Sequence, residues 1–365
     1  MIRLDLLHDR TAVAGLVRTI SDAAARLGRP ATFMEVCGTH THAVAGAGLR
    51  RMLPNGIRLV SGPGCPVCVT PVGYLDRALA LAARPGTVLC TFGDLMRVPS
   101  STVTLEQARA EGCDVRVVYS PRDALAVAQG TDQQVVFLAV GFETTTPTIA
   151  AVLAEAEASG TPNFQILPGN KLIPPAMLAL VDDPRLEVHG FLLPGHVSVL
   201  TGWEAFRFLA DEHGVPGAVV GFAPTDILRG VLELLEQNAD GRCAIVNLYE
   251  TVVSPRGNST AAALVERFFS PANDSWRGFG EIPGSGLALR PEWAHRDASR
   301  IPVDLPLPRE PAGCRCGEVL RGVIDPPQCP LFDAGCSPAT PVGACMVSSE
   351  GTCSAWFRHE RWGSA

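Results

Sequence analysis

Lysine is nearly missing from this chain of 365 residues: Lys171 is the only one, and every other basic residue is arginine. That bias reads as compositional drift in the source genome. The basic residues form no dense run and the net charge is −7, which argues against nucleic acid as a partner. Long apolar runs are missing too. No stretch approaches the ~18 consecutive apolar residues that a membrane helix needs, so no membrane association is expected. Asp5, Asp9 and Arg10 interrupt the first apolar residues, unlike a secretory signal, and the expected compartment is the cytoplasm. Charge is sparse, 18% against 47% hydrophobic, which excludes global disorder and allows a substantial core. What the chain does hold is cysteine, twelve of them. A cytoplasmic compartment keeps thiols reduced, so metal binding or redox chemistry is expected in place of a structural disulfide framework.

Up to about residue 250, short β-rich runs alternate with helical patterns. Strands are predicted at 32–36, 57–60, 87–91, 115–119, 134–140, 164–167, 190–193, 218–221 and 244–248. Most are continuously apolar, as strands buried on both faces are, which favours parallel sheets covered by helices. Ser120-Pro121-Arg122-Asp123, Thr70-Pro71 and Thr146-Pro147 read as helix starts. The class is α/β: two parallel-sheet, Rossmann-like units facing a cleft, over 1–130 and 131–250, divided at Gly130-Thr131-Asp132. From 251 to 365 periodicity fades and proline, glycine and cysteine dominate. This smaller, irregular C-terminal domain is expected to rely on a metal or cluster.

The chemistry-bearing motifs fall after strands. Cys37-Gly38-Thr39-His40-Thr41-His42 pairs a soft thiolate with imidazoles, a set suited to iron, zinc or copper. Gly62-Pro63-Gly64-Cys65-Pro66-Val67-Cys68 is a CxxC pair placed before a helix, where the dipole and free amides favour thiolate, and two intervening residues allow a small-ring disulfide. Asp94 and Arg97, Glu143 with Thr144–Thr146, and Pro194-Gly195-His196 lie on further strand-end loops. In open parallel sheets ligands bind beyond the carboxyl ends of the strands, so these loops are expected to converge. Glu143 could equally be a capping carboxylate, and Asp94/Arg97 a loop ion pair. The C-terminal cysteines show neither the compact ferredoxin spacing nor a zinc ribbon. Cys316, Cys329, Cys336 and Cys353 read as a widely spaced four-thiolate site for an iron–sulfur cluster or zinc, with Cys345 and Cys314 as rivals for one place.

Taken together, Glu35–Ala43, Gly62–Cys68, Phe92–Pro99, Gly141–Thr148, Pro194–Ser198 and the ending from Cys316 to Cys353 resemble the HypD family of hydrogenase maturation factors. The resemblance spans almost the whole chain. It implies a scaffold for assembling the Fe(CN)2(CO) unit of nickel–iron hydrogenase, with iron held between this chain and a small HypC-type partner. A HypE-type protein would donate cyanide from a thiocyanate, and the hydrogenase large subunit would receive the finished unit. It places iron at Cys37 and His40, with His42 beside them, the redox-active pair at Cys65 and Cys68, and a [4Fe–4S] cluster at Cys316, Cys329, Cys336 and Cys353. Asp94 and Glu143 are expected to line the reacting site. Such a protein is a cofactor-assembly scaffold with redox activity, not a classical metabolic enzyme. A stand-alone disulfide oxidoreductase fed by an iron–sulfur cluster leaves Cys37 and His40 idle. A zinc-stabilised binding module leaves the CxxC idle as well.

Overall fold

A computed structural model describes residues 10–361; Asp5 and Asp9 lie outside the described residues. All nine predicted strands form. They are β1 (Ala31–Glu35), β2 (Ile57–Ser61), β3 (Thr87–Thr91), β4 (Val115–Val117), β5 (Gln134–Gly141), β6 (Phe164–Asn170), β7 (Phe191–Pro194), β8 (Gly217–Val220) and β9 (Ile245–Asn247). One sheet runs β2-β1-β7-β8-β9 and the other β4-β3-β5-β6, and every pairing in both is parallel. Within each sheet the chain starts in the middle, adds a strand to one side, then turns back and builds to the other. That order is doubly wound.

The sheets do not divide at residue 130. That point falls inside the second sheet, between the helix Pro121–Gln129 and β5, and the whole second sheet is inserted between β2 and β7 of the first. Gly130-Thr131-Asp132 marks a loop, and a loop between helix and strand carries the same residues whether or not a domain ends there.

Three cores set the layering. Ile20, Phe33, Leu192 and Leu228 fix the helices Arg10–Leu27 and Pro224–Asp240 on the outer face of the first sheet. Leu125, Phe137, Leu153 and Phe268 do the same for the second sheet with helices Pro121–Gln129, Thr146–Ala158 and Ser259–Phe268. The facing sides share a third core, which holds Met34, Leu89, Val136 and Val219 together with Cys65, Cys68, Cys316 and Cys345. The cysteine-bearing segments therefore sit between the sheets.

The C-terminal region is less irregular than its composition suggests. It contains the hairpin β10 (Phe269–Trp276) and β11 (Gly280–Leu289), antiparallel with a register shift between Ala272 and Asp274. Pro271 and the glycines in β11 mask it in the sequence. A two-stranded sheet is all edge, where proline and bulges are tolerated.

Candidate functional site

Each doubly wound sheet has a switch point where neighbouring strands lead their connections in opposite directions, and ligands favour that crevice. In the first sheet it lies between β1 and β7, whose carboxyl ends carry Cys37 and Gly195-His196. In the second it lies between β3 and β5, which lead into the Asp94 and Glu143 loops.

Cys37 is the residue before the helix Gly38–Gly46 and retains partial solvent contact. Its support is Glu35, fully buried at the end of β1, a residue the motif reading had not assigned a role. Glu35 Oε2 accepts the Cys37 amide at 3.1 Å, and Oε1 accepts the Thr41 hydroxyl at 2.6 Å. Burial raises the Glu35 carboxyl to about 7 despite hydrogen bonds from Ser61 and Thr41. Burial also pushes the Cys37 thiol up to about 11, against the pull of the His40 amide. Cys37 thus rests as a thiol, and a metal there would have to displace its proton.

His40 is wholly buried, with Nε2 2.9 Å from the Gly221 carbonyl oxygen and Nδ1 without a partner. Burial lowers its pKa to about 4, so the ring is neutral. Nε2–H donating to a carbonyl leaves Nδ1 as a free lone pair, the arrangement that orients histidine ligands in metal sites. Phe222 lies between two imidazoles, 4.7 Å from His40 and 3.9 Å from His196 by ring centroids. His42 goes elsewhere. Two residues apart on a helix are nearly opposite, and His42 packs edge-on against His359 at 5.8 Å, with Nε2 unpartnered. The structure does not bring His42 to the His40 face.

The CxxC loop is locked onto Cys37. Gly38 N donates to the Gly64 carbonyl at 2.9 Å and Gly62 N to that of Glu35 at 2.7 Å. A Cβ on Gly64 would collide with the backbone of Cys37. Cys65 and Cys68 form a disulfide with Cα atoms 5.3 Å apart. Cys65 precedes a short helical turn, Pro66–Val69, and its sulfur accepts the Cys68 amide at 3.2 Å. The helix expected from Thr70-Pro71 forms over Val72–Ala82, and this short turn is a separate element before it. Neither sulfur is open to large partners, since Cys65 is 3% and Cys68 0% exposed.

Asp94 joins this assembly indirectly. Its Oδ2 accepts from Ser348 Oγ at 3.0 Å, Ser349 N at 3.1 Å and Ser349 Oγ at 3.2 Å. These bonds hold a turn that places Glu350 against Gly38. Arg97 bonds the carbonyls of Pro338 and Ala339, not Asp94. Glu143 lines a separate cavity of about 260 Å3 with Leu172, Leu200, Thr201 and Arg256. Its Oε1 accepts the Ile173 amide at 2.8 Å, Oε2 has no partner, and burial raises the carboxyl to about 7.

Cys314, Cys316, Cys329, Cys336, Cys345 and Cys353 all line one cavity. Cys316 and Cys345 sulfurs lie 2.8 Å apart, unbonded, and Cys336 accepts the Val342 amide at 3.3 Å. Among the described residues no three His, Cys, Asp or Glu side chains stand in a preformed metal geometry. The donor set itself, soft thiols converging in an apolar enclosure, suits an iron–sulfur cluster or zinc. This cavity adjoins the CxxC pair: the Cys68 sulfur is 3.9 Å from the carbonyl oxygen of Ala344, the residue before Cys345. Among the described residues, no helix is long and apolar enough to cross a membrane.

Comparison with known proteins agrees with the motif order. The family model HypD, described as the hydrogenase formation hypA family, matches residues 11–360. The hydrogenase maturation factor HypD of Rhizobium leguminosarum bv. viciae is 43% identical, covering 98% of this chain and 96% of its own length. That of Escherichia coli K12 is 43% identical, covering 91% and 90%, and that of Azotobacter vinelandii is 44% identical, covering 90% and 89%. With a family match over nearly its whole length, this chain is a member of the HypD family and a hydrogenase maturation factor.

Proposed function

We propose that this protein is the scaffold on which the Fe(CN)2(CO) unit of nickel–iron hydrogenase is assembled, working with a small HypC-type partner and a HypE-type cyanide donor. One observation carries the reading: the dithiol loop and the Cys37–His40 loop are interlocked, glycine against cysteine backbone, with the six-cysteine cavity directly behind the dithiol. A metal anchor, a two-electron switch and a thiolate pocket occupy one continuous stretch of the interior.

The chemistry follows from what these side chains can do. Iron arrives as cargo. Cys37, on losing its proton, and His40, through the free Nδ1 lone pair, supply two protein ligands and leave the remaining positions to the partner and to small ligands. A thiocyanate releases cyanide when its carbon–sulfur bond accepts two electrons and the sulfur leaves as a thiol. Reduced Cys65 and Cys68 provide both electrons by closing their disulfide. Four of the cavity thiols, preferentially Cys316, Cys329, Cys336 and Cys353, would hold a [4Fe–4S] cluster, which supplies single electrons for reopening the pair. Cys345 contacts the same cavity and stays a rival ligand.

Burial of the pair favours the scaffold over a stand-alone oxidoreductase. Exchange with another protein's disulfide needs an accessible sulfur, whereas these sulfurs, 3% and 0% exposed, are placed to pass electrons through the interlocked Cys37 loop to a ligand held there. Iron, sulfide and zinc analysis with an infrared spectrum of anaerobically purified protein, alone and with its small partner, tests the proposal. Cyanide and carbonyl stretches are expected. A cluster without them would indicate the oxidoreductase, and zinc alone the binding module.

A further inference from the structure

Arg277, at the tip of the β10–β11 hairpin, belongs to no motif, yet it touches both redox elements. Its amide donates to the Val69 carbonyl at 2.8 Å and its Nε to that of Thr70 at 3.0 Å, gripping the end of the helical turn that carries Cys68. The next residue, Gly278, adopts φ +85° and packs on Gly317, the neighbour of Cys316, so closely that a Cβ on Gly317 would come within 2.7 Å of the Gly278 Cα. The hairpin tip is thereby wedged between the CxxC turn and the cysteine cavity.

The side chain is a buried charge, 3% exposed, and is incompletely paired. Nη1 meets Glu310, whose side chain is 56% exposed, whereas Nη2 is buried with no partner in the protein. A buried guanidinium is costly unless negative charge lies nearby. Lys171 and Arg296, likewise buried, have their own counter-ions in Asp274 and Glu157, each at 2.6 Å. The contact of Gly278 with Gly317, next to Cys316, seats the half-paired Arg277 charge at the edge of the cysteine-lined cavity.

We propose that Arg277 sets the reduction potential of the cysteine-held centre, its buried positive charge favouring the reduced, more negative form while Glu310 tempers that effect. This rests on the reading that the cavity holds an iron–sulfur cluster. The step concerned is the gain of one electron by the cluster from a low-potential donor, with no proton or bond change required.

The test is a potentiometric titration of full-length, anaerobically purified protein with dithionite, followed by electron paramagnetic resonance, with iron and sulfide content measured on every sample. Arg277→Gln should make reduction roughly tenfold less favourable, a shift of about 59 mV to more negative potential for a one-electron couple. Arg277→Lys should stay near wild type, since it keeps the charge. Glu310→Gln, a change at a half-exposed residue that should fold, is expected to shift the potential the opposite way. A merely structural role gives no such reversal of sign. A cluster present in all variants at one potential, or moved the same way by both Gln substitutions, overturns the proposal for Arg277 alone. Wild-type protein without iron and sulfide overturns the cluster reading and this proposal with it.

Discussion

Glu143 is a carboxyl that burial keeps close to neutral, and it shows how far one side chain can couple the fold to pH. Its pKa is raised from 4.5 to about 7, so across that window the folded state holds a proton the unfolded chain has released. Stability is therefore present below pH 4.5 and is lost as pH rises through about 7, by on the order of 3 kcal/mol for this group. Glu143→Gln keeps the Oε1 acceptor for Ile173 and cannot titrate. Urea unfolding should show the variant gaining on wild type between about pH 5 and pH 8; a difference independent of pH would mean that Glu143 ionises normally in the fold. Gly64 makes a steric point. Its missing Cβ is where the Cys37 backbone passes, so Gly64→Ala has to part the two loops. A cost of about 2 kcal/mol or more is expected in chemical denaturation, and a neutral result would show that the loops are not interlocked. Other residues of the site escaped the sequence reading for plain reasons. Glu35 reads as the last residue of a strand, and its role depends on folding back onto the Cys37 amide. Phe222 becomes a spacer between His40 and His196 only through tertiary packing. Lys171 did carry a signal: a lone lysine among arginines, it is buried, bonded to Asp274 and set over the Trp276 ring, where a compact ammonium fits.

At the scale of elements, the helix Thr352–His359 shows how the C-terminal cysteines are brought to the core. It carries Cys353 and packs on the helix Gly38–Gly46. Arg50 pins it, bridging to Glu360 at 2.9 Å, donating to Ser61 at 3.0 Å and covering Trp356. Both charges of that bridge are buried, 12% and 5% exposed. Removing one strands the other, at about 3 kcal/mol. Arg50→Ala should accordingly speed amide exchange across 352–360 while leaving β5 and β6 protected; unchanged exchange there would show that the helix is held by packing alone. The strands were legible because continuous apolar runs between turn residues admit few other structures. The β10–β11 hairpin was not, since its pattern is broken by Pro271, a bulge and several glycines, and its pairing rests on contacts that local propensity does not encode.

In the molecule as a whole, the motif order announced two parallel sheets with loops meeting at their carboxyl ends, and the structure joins the Cys37, CxxC and Asp94 loops. The order of motifs could not reveal that the second sheet is inserted into the first, because parallel strands pair through crossovers whose partners only the tertiary fold selects. Nor could it reveal that Glu143 faces a cavity of its own. The proposed internal relay gains from the contact between Cys68 and Ala344. If it operates, Cys353→Ser should slow reduction of the Cys65–Cys68 disulfide by a one-electron donor at least tenfold, and unchanged kinetics would remove the cluster from the path. The central claim is that Cys37, beside that dithiol, anchors the iron. Infrared spectra of wild-type and Cys37→Ser protein, each purified anaerobically with the small partner, test it most directly. The account predicts cyanide and carbonyl stretches in wild type and their loss in the variant, with the C-terminal cluster retained in both. Bands of equal strength in the Cys37→Ser protein would contradict it.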